Sequence, residues 1–600
     1  MWYLVLACDY DGTVATHGVI VAETVKALER CLKSCRKLVL VTGRELPELL
    51  EICPAISLFE WVVAENGALL YRPATREERS LGSPPPADFV QALRDRGASP
   101  LSTGRVIVST WEPHEKTVLA TIRDFGLELQ VIFNKGAVMI LPSGINKATG
   151  LAEALKEMKI SPHNVVAVGD AENDHALLAS CEAAVAVANA TEQLKPRADL
   201  VTVKDHGAGV AEVVERLLKD DLADLEPRLT RHCVLLGHDG RDREFRLSSH
   251  HGNILVAGGS GGGKSTLATA FIERLIEARY QVCIVDPEGD YEAFERAVVC
   301  GNADQPPTAD NVLRLLEMSE EHVIANLIGV PIQDRPASFL SLLTRLQELR
   351  TRTARPHWIV VDEAHHVLPS SWEPASLALP QQLQRTMFIT LTPDLLSPAA
   401  LPTIDTVIAV GDAPEKLFAA FSSASGLPGP SVEPTELAHG EMLVWPVASN
   451  RRPEKVKLMP GHSVRRRHSR KYAEGELEPD RSFYFRGPED KLNLRAQNLI
   501  TFLQMAEGVD DETWLFHLQR GDYSKWFREA IKDQKLADEA ANVEQTSGIS
   551  AADSRRRIKE IVESRYTLPA SPATPVSSKM ASSEQRGRPE AEAVASSGPK

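Results

Sequence analysis

Two carboxylates, Asp9 and Asp11, stand just beyond the apolar run Tyr3–Cys8, in the string Asp9-Tyr10-Asp11-Gly12-Thr13. Acids placed past the end of a parallel strand project into the crevice where open α/β folds bind ligands. Alone, Asp-Gly-Thr reads equally well as a turn. Three more segments join it in order along the chain. Thr42-Gly43-Arg44 offers a hydroxyl and backbone N–H groups that suit phosphoryl oxygens. Lys147 opens a helix after Gly144 and brings an ammonium that neutralises phosphate charge. Gly169-Asp170-Ala171-Glu172-Asn173-Asp174 supplies two further carboxylates. Hard oxygen ligands gathered this way suit Mg²⁺, which takes one or two carboxylates together with phosphate and water. A carboxylate nucleophile beside such a cation and a lysine divides a hard phosphoryl displacement into two easier ones.

A second group of residues binds phosphate differently. Gly258-Gly259-Ser260-Gly261-Gly262-Gly263-Lys264-Ser265-Thr266 lies between the strand-like Asn253–Ala257 and the helix-like Lys264–Ala278. In that context Gly258, Gly261, Gly262 and Gly263 let backbone N–H groups turn inward around phosphates. Lys264 reaches the β/γ oxygens, Ser265 ligates Mg²⁺, and Thr266 completes the ATP-binding loop. A flexible glycine linker is the alternative, but it requires neither the strand nor the helix. Farther on, Trp358–Val361 is a hydrophobic strand ending in Asp362-Glu363. Asp362 is placed to hold the Mg²⁺ shell and Glu363 to polarise an attacking water. Met387–Leu391 then ends at Thr392-Pro393, where Thr392 can sense a γ-phosphate.

Both groups need parallel strands to position them. Strand-like runs Tyr3–Cys8, Leu38–Thr42, Trp61–Ala64, Val165–Val168 and Ala183–Val187 alternate with amphipathic helices, the pattern of a parallel sheet covered by helices. A second series follows at Asn253–Ala257, Val282–Asp286, Val323–Leu327, Trp358–Asp362, Met387–Leu391 and Val407–Val410, closing near Met442–Trp445. The fold class is therefore multidomain α/β: a Rossmann-like core with an α+β cap, a P-loop α/β domain, and a small, mainly helical C-terminal domain with a disordered tail.

The first four segments resemble the haloacid-dehalogenase (HAD) superfamily of phosphatases. The resemblance implies that Asp9 attacks phosphorus and that Asp11 protonates the leaving oxygen, then activates water. Thr42, Gly43, Lys147 and Asn173 hold the phosphoryl group. Asp9, the main-chain carbonyl of Asp11, and Asp170 ligate Mg²⁺, with Asp174 in support. The long insertion before Lys147 resembles the C2 cap of the Cof-type branch. Its helix-like Ala87–Arg96 and His114–Phe125 accompany strand-like Arg105–Thr110, Leu129–Phe133 and Ala137–Leu141. Members of that branch often act on sugar phosphates or other small esters, and phosphoglycolate is an analogous choice. Val285-Asp286-Pro287-Glu288-Gly289-Asp290-Tyr291, with Asp362-Glu363-Ala364-His365, resembles the HerA/FtsK branch of P-loop ATPases. That implies ATP hydrolysis and a ring-forming homo-oligomer; Arg385 and Arg452 are candidate trans-acting arginines. Only a short stretch precedes the P-loop, too little for a substantial N-terminal barrel.

The expected boundaries are 1–216 for the phosphatase, with its cap at roughly 75–143; 217–232 for a charged linker carrying Pro227; and 233–450 for the ATPase. Residues 451–477 form a basic, irregular linker, 478–568 a mainly helical module that includes helices Lys491–Ala506 and Ala551–Ser564, and 569–600 a disordered Pro/Ala/Ser/Glu tail. A chain of 600 residues exceeds one core, so several domains are required. Its net charge of −15 disfavours indiscriminate nucleic-acid binding by the whole surface. The basic 451–471 stretch could bind nucleic-acid phosphate, or serve as a solvated linker. Aromatics such as Phe483, Trp514 and Trp526 read as helical-domain core or as a stacking surface for single strands. Eight cysteines without Cys-x-x-Cys pairing point to reduced thiols and a cytoplasmic protein. The first apolar run is too short for a signal peptide, and no run reaches the ~20 residues of a membrane span.

The leading reading is thus bifunctional: a Mg²⁺-dependent phosphatase for a small phosphorylated substrate, joined to an ATP-hydrolysing domain. Alternatives are a nucleic-acid motor with an end-trimming phosphatase, a polynucleotide kinase-phosphatase, and a nucleotide-sensing interaction protein.

Overall fold

The computed structural model describes residues 1–250, 252–259, 261–371, 383–447, 451–462, 477, 481–531 and 533–565. Its first sheet centres on β1 (Val5–Asp9), in which every residue is buried. Helices cover both sheet faces, which is why the strand reads as an unbroken apolar run rather than an alternating one. Val5, Ala7, Val39 and Val41 pack on one face, and Leu6, Cys8, Leu38 and Leu40 on the other. The sheet runs β12 (Leu200–Val201), β11 (Ala183–Ala186), β10 (Val165–Gly169), β1, β2 (Lys37–Val41), β3 (Trp61–Ala64), β4 (Leu69–Arg72), β5 (Glu77–Ser80). It is parallel up to β3, after which β4 and β5 turn back. The register Asp9↔Val41 and Cys8↔Val168 brings Asp9, Thr42 and Asp170 to one end of the sheet.

The cap is inserted between β5 and helix Lys147–Met158. Its strands β6 (Ser102–Thr103), β7 (Val108–Trp111), β8 (Leu129–Asn134) and β9 (Ala137–Pro142) form an antiparallel sheet in the order β6-β7-β9-β8. Helices Ala87–Asp95 and Glu115–Phe125 bury Phe89, Leu93 and Val118 against Val108, Val138 and Ile140. The expected cap start near residue 75 is corrected, because β5 pairs with β4 in the core sheet and the insertion begins after Ser80. Where the chain returns from the cap, Gly67 lies so close to Asn146 that a Cβ would sit 1.9 Å from the Asn146 carbonyl oxygen. Only glycine fits there.

Residues 217–232 are not an exposed linker. The helix His206–Asp220 runs into them, and Leu222, Leu225 and Leu229 are buried in an apolar cluster that extends from Leu6 and Val166 to Val234, Ile254 and Tyr280. The charged residues that suggested a linker occupy only the outer face of this packed connector.

The second sheet runs β14 (Glu244–Leu247), β13 (Val234–Asp239), β23 (Glu454–Leu458), β22 (Glu441–Pro446), β21 (Ile404–Val410), β15 (Asn253–Ala257), β20 (Thr386–Thr390), β19 (Trp358–Val361), β16 (Val282–Asp286), β18 (Val323–Asn326), β17 (Val298–Cys300). The six strands expected from residues 253–410 all appear in its parallel part. Its antiparallel extension includes β23, which corrects the irregular reading of residues 454–458. That strand alternates Lys455 and Lys457 outward around the buried Val456, so its charge hid its pattern.

The described residues beyond 465 form a separate compact unit. Here β24 (Phe483–Phe485) and β25 (Leu494–Ala496) form a hairpin, followed by helices Leu499–Gly508, Asp511–Gln519, Asp522–Glu529, Gln534–Glu544 and Ala551–Arg565. The expected helix from Lys491 starts at Leu499 instead, because Asn498 caps it by accepting from the Thr501 N–H and 494–496 pairs with 483–485. Phe483, Phe485, Phe502, Trp514, Tyr523, Trp526 and Phe527 are buried together, so these aromatics are core rather than a stacking platform. The arginine-rich part of the basic stretch, 463–471, and the tail 569–600 lie outside the described residues. Among the described residues, no helix is long and apolar enough to cross a membrane.

Candidate active site

Asp9 ends β1 with its carboxylate buried. The Lys147 ammonium, at the first turn of its helix, donates to Asp9 Oδ1 at 2.5 Å and to Asp174 Oδ1 at 2.7 Å. Asn146 fixes that helix start through a capping box, so the lysine enters the pocket from a rigid support. Asp174 Oδ2 in turn accepts the Asp170 and Ala171 N–H groups at 2.9 and 3.1 Å. Asp170 accepts from Thr13 Oγ1 at 3.3 Å and from Lys135 Nζ at 2.7 Å. Asp9, Asp170 and Asp174 present ligand atoms within 4.8 Å of one another, all three residues being buried.

The electrostatics of this cluster favour positive charge beside its acids. Burial first, and then the Asp174 charge, push the Asp9 carboxyl from its ordinary 3.8 up to about 8, against the pull of Lys147. Asp170 is likewise raised by burial, although Lys135 opposes the shift. Burial would lower Lys147, but the Asp174 and Asp9 carboxylates outweigh it and raise the ammonium above its usual range. Three buried acids around two lysines form a donor set that a divalent cation fits. Lys135 Nζ, 2.7 Å from Asp170 and 3.5 Å from the Asp11 carbonyl oxygen, already holds positive charge between the groups expected to ligate that cation.

The remaining expected residues surround this centre. Thr42 is fully buried, and its hydroxyl accepts the Arg44 N–H at 3.1 Å. Gly43 lies beside Asn173, whose amide donates to Asn66 Oδ1 at 3.0 Å. Asp11 stands outside the buried trio: Arg44 holds its carboxylate in a two-pronged ion pair at 2.6 and 2.8 Å.

Arg44, Lys135 and Glu65 also contact this centre or tie the cap to it, and the sequence does not announce those contacts. Arg44 was visible in Thr42-Gly43-Arg44, but its pairing with Asp11 needed the register. Lys135 sits on the tight turn between β8 and β9, and Asn134-Lys135-Gly136 was the only signal for it. Glu65 is fully buried and accepts the N–H groups of Arg105, Val106 and Ile107 at 2.8, 2.7 and 3.0 Å, tying the core to the cap. Its left-handed φ of 52° is the conformation that turns the carboxylate toward that loop. Glu65→Ala leaves the buried Val106 and Ile107 donors unmatched, so a loss of about 1–3 kcal/mol in denaturant unfolding is expected, together with a raised KM for esters. Wild-type stability and KM in this variant would contradict the tether.

In the second sheet Lys264 is buried and donates to the Gly258 and Gly259 carbonyls at 2.7 and 3.3 Å. The left-handed Gly261 and Gly263 shape the loop, and Ser265 and Thr266 open the following helix. Asp362 follows β19, and the Glu363 N–H donates to its Oδ1 at 3.0 Å. Glu363 takes φ 38°, a strained value for a non-glycine residue, 3.6 Å from His365. β20 separates the P-loop strand from β19, and Thr390 at its end bonds both His365 and the Thr392 carbonyl at 3.2 Å. Asp286 accepts the Asp290 and Tyr291 N–H groups, so it braces its own loop. Arg385, half-buried just before β20, stacks 3.8 Å over Trp2 of its own chain.

The comparisons agree with this division. The family model described as haloacid dehalogenase-like hydrolase matches residues 6–95 and 105–214, and that of the helicase HerA central domain matches 246–363. A phosphoglycolate phosphatase of Methanothermobacter thermautotrophicus is 32% identical over 222 residues, covering 36% of this chain and 98% of that protein. Phosphoglycolate phosphatase 2 of Saccharolobus solfataricus is 30% identical over 221 residues, covering 36% and 92%. A haloacid dehalogenase-like hydrolase structure from Bacteroides thetaiotaomicron aligns with 36% of this chain and 99% of its own at 20% identity, with a TM-score of 0.31. The chain belongs to the haloacid dehalogenase-like hydrolases. It is a phosphoric monoester hydrolase whose phosphatase fold is fused to a HerA-type P-loop NTPase domain.

Proposed function

We propose that the phosphatase half hydrolyses small, acid-tailed phosphate monoesters, phosphoglycolate first among them, through an aspartyl-phosphate on Asp9, and that the P-loop half hydrolyses ATP independently. The observation that carries the first part is the buried Asp9–Lys147–Asp174 chain beside Asp170. Lys147 holds Asp9 Oδ1 in place, so the other oxygen is the one free to attack phosphorus. Thr42, the Gly43 N–H and Asn173 line the side where phosphoryl oxygens would rest. Asp11, once released from its ion pair with Arg44 and protonated, donates that proton to the departing oxygen and later takes one from water. Mg²⁺, held by Asp9, the Asp11 carbonyl and Asp170 with Asp174 behind them, would neutralise charge on the transferring group. The curated relatives' name supports phosphoglycolate as the lead substrate.

The cap contributes Lys135 at the mouth of this pocket, half exposed and able to leave Asp170 for a substrate carboxylate. Lys135→Ala is therefore expected to raise KM for phosphoglycolate about tenfold, and to change KM for a neutral-tailed ester much less, since one charge-assisted contact is lost. Equal effects on both esters would remove Lys135 from substrate recognition. The overall test is a phosphate-ester panel with Mg²⁺, run with and without ATP and DNA. Turnover led by an acid-tailed ester and indifferent to ATP and DNA is expected. ATP hydrolysis accelerated by DNA would favour the motor, the second reading that the HerA-type match supports.

A further inference from the structure

We propose that the unit beyond residue 465 carries a nucleotide pocket of its own, in which basic side chains take the phosphate and two aromatic rings take the base. A cavity of about 420 Å³ opens between the β24–β25 hairpin and the helices Asp511–Gln519 and Asp522–Glu529. It lies wholly within that unit and uses none of the P-loop residues.

Its cations converge from two walls. The hairpin side brings Arg481 and Arg486, and the helical side brings Arg520 and Lys525. Alternation along 483–486 turns Tyr484 and Arg486 away from the buried Phe483 and Phe485. The Arg486 guanidinium stands 5.5 Å from the centre of the Tyr484 ring, and that of Arg520 stands 4.9 Å from the centre of Phe516. Both rings are half-buried, unlike the aromatic core of this unit. A base stacks on such a ring or on a guanidinium plane, and the same guanidinium bonds phosphate. Among the described residues no ion pair engages Arg486 or Lys525, so their charge is open to a ligand.

Buried polar groups hold the walls in place. His517 lies at the floor, and its Nε2 accepts the Arg486 and Gly487 N–H groups at 3.0 and 3.4 Å. Its Nδ1 therefore carries the proton and donates to Asp522 Oδ2 at 2.8 Å. One side chain thus ties the end of β24 to the start of the helix Asp522–Glu529. Trp526 Nε1 donates to the Arg481 carbonyl at 2.9 Å, and Arg481 donates to the Ala530 carbonyl at 3.3 Å. Walls fixed before binding lower the cost of ordering them.

The acids decide between bare phosphate and a whole nucleotide. Asp522 is engaged by His517 and by Arg520, the latter at 3.3 Å. Asp490 and Glu529 stand at the same cavity, so four cations meet three carboxylates there. That balance is too even to hold bare phosphate tightly. A nucleotide offers amino and hydroxyl donors to the carboxylates, phosphate to the cations and a base to the rings. An acidic peptide brings carboxylates but no base. A free mononucleotide and one residue of a single strand present the same chemistry.

The test uses the full chain carrying Asp9→Asn, so that the phosphatase spares a monoester probe, with the P-loop filled by a nonhydrolysable ATP analogue and Mg²⁺. Fluorescence anisotropy follows labelled AMP in one arm and a short labelled oligouridine in the other. Saturable binding is expected; uptake of AMP identifies a free nucleotide, and uptake of the strand alone identifies a strand residue. Arg486→Glu and Lys525→Glu should each weaken binding about tenfold, and Phe516→Leu at least about fivefold, with melting temperatures unchanged. Arg557→Glu, the same charge change on an exposed residue outside the cavity, should stay within about twofold. Binding of neither probe would overturn the pocket, as would an equal loss in Arg557→Glu. Displacement by inorganic phosphate or polyglutamate as readily as by unlabelled nucleotide would overturn it too, leaving a site that reads charge alone.

Discussion

Asp9→Asn is expected to reduce phosphate-ester turnover at least about a thousandfold, because an amide cannot form the acyl-phosphate. The substitution is nearly isosteric, so the bond from Lys147 to the residue-9 side-chain oxygen can persist, and ATP hydrolysis should not change. The fold should not suffer either. The Asp9 carboxyl is raised to about 8 in the folded chain, chiefly by burial and by Asp174. For an acid with a raised folded value, the folded state holds the proton longer than the unfolded one, so without a cation stability falls as pH rises through the interval from about 4 to about 8. Asparagine removes that charge. At pH 7 the cation-free variant should therefore melt no lower than the cation-free wild type. Substantial ester turnover in this variant would displace Asp9 as the nucleophile. Loss of turnover accompanied by a large drop in melting temperature would mean that the carboxylate is structural.

Much of this centre could be read before any coordinates, because its residues lie at strand ends, and strands of buried β/α sheets announce themselves as apolar runs. Asp9, Thr42, Lys147, Asp170 and Asp174 each follow or precede such a run, and the parallel topology does the rest. The same logic gave the P-loop and Asp362. What stayed hidden depends on side chains reaching across elements. Glu65 binds backbone groups some forty residues later, and no local pattern encodes that reach. Lys135 is a lysine on a hairpin turn, the commonest kind of solvated charge, until the cap folds over the strand ends. Glu182 bonds His163 and His250, scattered single residues whose meeting depends on how two sheets pack.

Errors of extent share another cause. Residues 217–232 and 454–458 are rich in charge, which on its own implies solvent exposure. In both, a few apolar residues face inward at spacings the charges obscure: Leu222, Leu225 and Leu229 in one, Val456 in the other. The consequence is functional. One continuous apolar cluster passes from the phosphatase sheet to the P-loop sheet, so both sites stand on one compact unit.

That arrangement sharpens the second large effect. Lys264→Ala should abolish ATP hydrolysis, a loss of at least about a hundredfold, since the lysine is the main cation offered to the β/γ phosphates. Its ammonium now rests on the Gly258 and Gly259 carbonyls at 2.7 and 3.3 Å, and an incoming phosphate must draw it away from them. Alanine leaves those carbonyls without that donor, a cost of about 1–3 kcal/mol that a chain of this size should tolerate. Ester hydrolysis is the informative measurement. Its steps use groups at the far end of a different sheet, so kcat for the ester should stay within about twofold of wild type, given that one pair of independent sites behaves additively. A parallel fall in ester turnover, with the melting temperature unchanged, would instead show that the loop's state travels through the shared apolar body to Asp9, and the two active sites would have to be treated as one coupled machine.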